Sequence, residues 1–157
     1  MRTILSTKEK ALRFNLDSSV YGTIAEIGGG QEVARNFFQA GGASGTLAKT
    51  ISAYDKTFSD HNYESKTSRY VSKDRLKAML EKEFGELEIL LGNKQPQRKH
   101  FAFANTVETL NFHKTNKVTD GLGLLFRPNL TKRLIIFTYM LSFLKTTIIF
   151  NNIHLEH

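Results

Sequence analysis

The sequence predicts an α/β domain, and three stretches carry that prediction. Residues 20–40 place a β-like run, a triple glycine and an amphipathic segment in succession. Residues 72–91 repeat apolar side chains at helical spacing, and residues 100–107, HFAFANTV, read as a buried strand. Strands alternating with helices pack as a sheet with helices laid on it. The expected domain is therefore a strand, glycine-rich turn and helix unit, then a long amphipathic helix and a buried strand, the whole forming an incomplete domain.

Composition sets the outer limits. At 157 residues, with 40% apolar and 24% charged residues, the chain can build one ordinary core, which implies a single soluble domain. The absence of cysteine removes thiolate chemistry and disulfide frameworks and fits a reducing compartment. The first residues, MRTILSTKEK, contain no secretory apolar segment, so a cytoplasmic protein is expected. The net charge of +7 raises nucleic-acid binding, but Lys73, Arg75, Lys77 and Lys82 interleave with Asp74, Glu81 and Glu83 as on a solvated helix face. The one dense basic cluster, Lys94 to Lys99, contains Pro96 and reads as a loop, which makes nucleic acid the weaker explanation of the charge.

Taken in order, Ser6-Thr7-Lys8-Glu9 has the form of a capping box and predicts a helix from Thr7 to Phe14. Asp17-Ser18-Ser19 supplies a turn. Val20 to Ile27 is rich in side chains that suit a pleated surface and brings Glu26 to the strand's carboxyl end. Gln31 to Ala40 follows as a helix with Val33, Ala34, Phe37 and Phe38 on one face, stopped by Gly41-Gly42. Thr46 to Phe58 mixes helical spacing with Thr and Ser and is expected to be extended or mixed. Tyr63 to Arg69 reads as an exposed loop. Ser72 caps the long helix, whose stripe is Leu76, Met79, Leu80, Phe84, Leu87, Leu90 and Leu91, and Gly92-Asn93 ends it.

The candidate ligand site lies in the glycine-rich region. A turn of glycines before a helix lets a phosphate approach unpaired amides, which singles out Glu26, Gly28, Gly29, Gly30 and Gln31. Gly41, Gly42, Ser44 and Gly45, with Lys49 as counter-charge, form a second possible cradle. The glycines match neither the dinucleotide fingerprint nor a Walker loop, and Glu32 beside the helix start disfavours an anion. A tight turn with close packing is the competing reading. Tyr54-Asp55 and Asp60-His61 are the only clustered groups suited to proton transfer. No catalytic residue, metal ligand or cofactor follows from the sequence.

The strings AEIGGGQEVARNFFQAGGASGTLAKTISAYDKTFSD, RYVSKDRL and FAFANTVETLNFHKTN resemble the N-terminal part of a long bacterial family, frequent in Bacteroidetes-like genomes. Its members carry the labels nicotinate-nucleotide adenylyltransferase and TonB-dependent receptor. The resemblance spans Leu5 to about Lys117 and implies a nucleotide or another phosphorylated small molecule as ligand. A nucleotidyltransferase of that kind would carry a His/Thr-x-Gly-His motif, which does not occur here, and a receptor would need a signal peptide and plug.

Beyond Lys117 the resemblance stops. The family implies Gly-His-Gly-Trp where the chain reads Val118-Thr119-Asp120-Gly121, and restoring one base after Lys117 lets suitable codons encode the expected motif. Residues 1–117 are accordingly expected to be the N-terminal part of a longer α/β domain, and 118–157 an out-of-frame tail. The apolar run from Leu134 to Phe150 is broken by Lys145 and is too short for a membrane helix. These readings together give a truncated, inactive fragment of a nucleotide-handling protein that lacks its own C-terminal part and has no membrane partner. A non-catalytic structural or interaction protein and a weak nucleic-acid binder are the alternatives.

Overall fold

The computed structural model describes residues 4–63, 71–92, 94–128, 135–144 and 147–148. Its first helix, α1, spans Thr7–Asn15, and both halves of the capping box form: Ser6 Oγ accepts from Glu9 N at 3.3 Å and Glu9 Oε2 accepts from Ser6 N at 2.8 Å. The expected turn follows, with Asp17 Oδ1 accepting from Ser19 N at 2.9 Å and from its hydroxyl at 2.6 Å. Strand β1 is Val20–Gly28 and is buried along nearly all its length, as a central strand covered on both faces must be.

Helix α2 spans Val33–Ala40, starting two residues after the predicted Gln31. Its Phe37 ring packs edge-on against Phe14 with centroids 5.4 Å apart. Phe38, expected on the same buried face, is instead 55% exposed. Buried Asn15 closes the helix end by donating from Nδ2 to Phe37 O at 2.8 Å and Gly41 O at 2.7 Å. Gly41 and Gly42 carry the chain through positive φ into a single 3₁₀ turn, Ala43–Gly45.

The ambiguous stretch resolves into strand β2, Leu47–Ala53, and helix α3, Lys56–Asn62, which Asp55 caps by accepting from Phe58 N at 2.7 Å. Tyr63, expected in an exposed loop, is 1% exposed; residues 64–70 lie outside the described residues. The reason is a clamp that local pattern does not reveal. Arg75 Nη1 donates to Ser59 O and Tyr63 O, both at 2.7 Å, and its Nη2 pairs with Asp60.

Helix α4 is Lys73–Leu87, capped by Ser72 Oγ accepting from Arg75 N at 3.1 Å. It ends earlier than the predicted stripe because Glu88–Gly92 widens into a π turn. The extra residue per turn rotates the following side chains, so Leu90, expected on the buried stripe, is 66% exposed. Strands β3 (Lys99–Glu108), β4 (Val118–Arg127), β5 (Ile135–Leu144) and the short β6 (Thr147–Ile148) complete the chain order.

The strands form one mixed sheet in the order β2-β1-β3-β4-β5-β6. β1 is parallel to both β2 and β3, whereas β3, β4 and β5 pair antiparallel. Alternation along β1 and β3 divides the core between the two faces. Ala25, Ile27, Ala102 and Ala104 pack with Leu76, Met79, Leu80 and Phe84 of α4. Ile24 and Phe101 pack with Phe14, Val33, Ala34 and Phe37 of α1 and α2 on the other side. The α/β class holds, with helices on both faces. Residues 118–127 and 135–144 take part in it: Leu125 is buried, and Ile136 and Met140 pack on the α4 cluster. No helix among the described residues is long and apolar enough to cross a membrane.

Candidate functional site

The chain leaves β1 through α2 towards β2 and leaves β3 in the opposite direction, towards β4. Where loops part in this way, the region outside the carboxyl ends of the strands, called the crevice, is the usual ligand position in open α/β sheets. Glu26, at 3% exposure, lies at this end of β1. Its Oε1 accepts from Val33 N at 2.9 Å and from Asn105 Nδ2 at 3.1 Å, and its Oε2 accepts from Ala34 N at 3.0 Å. The amides at the start of α2 therefore face a carboxylate supplied by β1, which satisfies them and the helix dipole together. A phosphate on those same amides would have to displace it.

Gln31 ties the crevice to β2. It donates to Gly28 O at 3.0 Å and accepts from Ser52 Oγ at 2.6 Å. Gly28 makes the turn at φ +85, and Gly29 N donates to Val107 O at 3.1 Å. The next two glycines are close-packed: a Cβ on Gly29 would stand 2.5 Å from Thr109 Cγ2, and one on Gly30 would overlap Val107 Cγ2. Across the crevice, Asn105 is 8% exposed and its Oδ1 is buried without a hydrogen-bond partner. Such an acceptor is costly unless something donates to it.

Residues 109–117 connect β3 to β4 at the same end of the sheet. Asn116 holds this loop to the sheet by donating to Thr109 O at 2.8 Å and Glu108 Oε1 at 3.2 Å. Asn111 knots it from inside, accepting from Thr115 N at 2.9 Å. The loop's exposed face carries His113, Lys114 and Lys117. Asp120, opposite Val107 in the β3–β4 pair, has its carboxyl pushed above the ordinary carboxylate range by burial, against one hydrogen bond from Gly121 N.

The predicted residues thus divide into three places. Glu26, Gly28, Gly29, Gly30 and Gln31 meet at the crevice. Gly41, Gly42, Ser44 and Gly45 lie where the chain enters β2, at the opposite end of the parallel strands. Lys49 is on the α4 face, bridging Glu83 at 2.5 Å and Glu86 at 2.6 Å. Burial acts to lower its pKa, but the two carboxylates outweigh that and hold the ammonium above its ordinary value. The proton-transfer candidates have structural work: Asp55 caps α3, and Asp60 pairs with Lys56 and Arg75, which keep its carboxyl below the usual range. In the basic cluster, Arg98 stacks 4.4 Å from the Tyr21 ring centroid and donates to Val20 O and Gly45 O. A guanidinium so engaged holds the loop down rather than offering itself to phosphate.

Two features escaped sequence reading. Ser52 reaches Gln31 only through the register of β2, for which no local signal exists. Arg75 and Glu83, expected on a solvated helix face, are instead 2% and 1% exposed, because they lie on the side of α4 that carries Leu76 and Leu80; Glu83 accepts from Tyr63 Oη at 2.6 Å. Burial first, and then that carboxylate, push the Tyr63 phenol well above its ordinary value.

The sequence matches no protein-family profile and no curated protein. Among solved structures, the fold is similar to that of the competence/damage inducible protein CihA from Agrobacterium tumefaciens, with a TM-score of 0.55 and 14% identity. The similarity covers 88% of this chain and 83% of that one. It is a likeness of fold.

Proposed function

We propose that this chain is a small-molecule-binding α/β domain that takes a nucleotide or another phosphorylated small molecule in the crevice between β1 and β3, without catalysing a reaction by itself. The buried, unpartnered Oδ1 of Asn105 is the observation that carries this reading. A ligand N–H or O–H would satisfy it, as a base or sugar can. Because Glu26 holds the α2 amides, the phosphate end belongs on the other side of the crevice, towards Lys114 and Lys117. This reverses the usual orientation, in which the helix N-terminus takes the phosphate.

The test is a thermal-shift and NMR titration with adenosine monophosphate, adenosine and inorganic phosphate. Stabilisation is expected with the nucleotide, weakened by Asn105→Ala and by Lys114→Ser/Lys117→Ser. No response to any of the three, or a response to phosphate alone that survives both variants, overturns the reading. Close packing of Gly29 and Gly30 supports a second reading, in which the glycine turn serves the fold only. Separately, the proposal that 118–157 is out of frame is decided by resequencing across the Lys117 codon. An intact genomic frame with no longer relative ends that proposal.

A further inference from the structure

A second cleft, of about 440 Å³, lies at the other end of the parallel strands, between the beginnings of β1 and β2 and the π turn after α4. Its size is that of a small-molecule site. Leu87, Leu90, Leu91 and the Tyr21 ring give it an apolar wall, and Lys49, Glu86 and Lys94 face into it. The π turn builds this wall: by rotating the chain after Leu87 it leaves Leu90 exposed at the cleft and turns Glu88 away towards His100 and Arg127. Such turns recur where a helix has been adapted to a ligand.

The unspent hydrogen-bonding capacity selects the ligand. Glu83 is 1% exposed and engaged at both oxygens, its Oε1 by Tyr63 and its Oε2 by Lys49, with Thr23 Oγ1 at 3.5 Å. Lys49 gives two of its three N–H groups to Glu83 and Glu86 and keeps one. Glu86 spends one oxygen on Lys49 and is 45% exposed in its side chain. Lys94 is an exposed residue that lines the cleft, and its backbone N–H donates to Leu91 O at 2.9 Å. Free donors outnumber free acceptors, so the ligand head must accept hydrogen bonds. Lys49 is already balanced by Glu83 and Glu86, which would repel a dianionic phosphate; a single negative charge is what the ammonium of Lys94 can match.

We propose that this cleft binds a small monocarboxylate with an aromatic or aliphatic body, the body against Leu87, Leu90 and Tyr21 and the carboxylate accepting from Lys49 and Lys94. The site is separate from the β1–β3 crevice and stands whether or not that crevice binds a nucleotide. The experiment is an NMR titration of the full chain with 3-phenylpropionate, 3-phenylpropanol and 3-phenylpropylamine, with Leu90 and Lys94 resonances as reporters. The carboxylate is expected to bind at least several-fold more tightly than the alcohol and the amine. Lys94→Ser, a change at an exposed residue, is expected to abolish that preference. Equal or tighter binding of the alcohol or amine, no binding of any of the three, or an undiminished preference in Lys94→Ser would each overturn the proposal.

Discussion

Asp120 shows how much a single half-buried carboxyl can say about its surroundings. Burial raises its folded-state pKa above the unfolded value of about 3.9. For an acid shifted upward, the favourable contribution is present at low pH and is lost as pH rises through the folded-state value. Asp120→Asn removes that loss. The variant is expected to melt higher than the parent at pH 7 and to converge with it towards pH 3, as followed by circular dichroism; a constant offset at all pH values would contradict the assignment. Glu26 makes the complementary point, because its charge is matched by three N–H donors. Composition reports both residues alike as acids, and only their partners distinguish them.

The glycine turn between β1 and α2 is decided by space at the scale of the element. Gly30 lies outside the positive-φ region, so a methyl group there meets no backbone penalty, only Val107. Gly30→Ala is expected to cost about 1 to 3 kcal/mol by overpacking, read from urea unfolding. Unchanged stability would mean that the turn is open enough for a ligand to approach its backbone. The helices were legible to different depths. Ser6, Asp17 and Ser72 announced their turns and caps because those interactions join residues two or three apart. Helix α4 was read too long because the π turn is imposed from outside: Glu88 is drawn to His100 and Arg127, 12 and 39 residues away. The same limit hid Tyr63, whose burial depends on Arg75 and on Glu83, 20 residues distant.

Across the whole molecule, the sheet makes residues after Lys117 part of the core whatever their reading frame. β4 covers the edge of β3, and Leu125 is 2% exposed beneath α4. A chain ended after Lys117 would leave that side of α4 bare and turn β3 into an edge strand. We expect such a chain to lose cooperative unfolding in urea, and a sharp transition with an unchanged midpoint would show that residues 118–144 add nothing to the fold. The division between sequence and structure follows from range. The sequence by itself determined the α/β class, the first strand–turn–helix unit, the caps and the location of β3, because periodicity and capping are written within a few residues. Tertiary structure alone decided that the predicted glycine residues occupy opposite ends of the sheet, that Glu26 fills the helix start and that Lys49 serves another face. Those outcomes depend on strand order and register, which set which distant residues come within hydrogen-bond reach, and no local pattern records them.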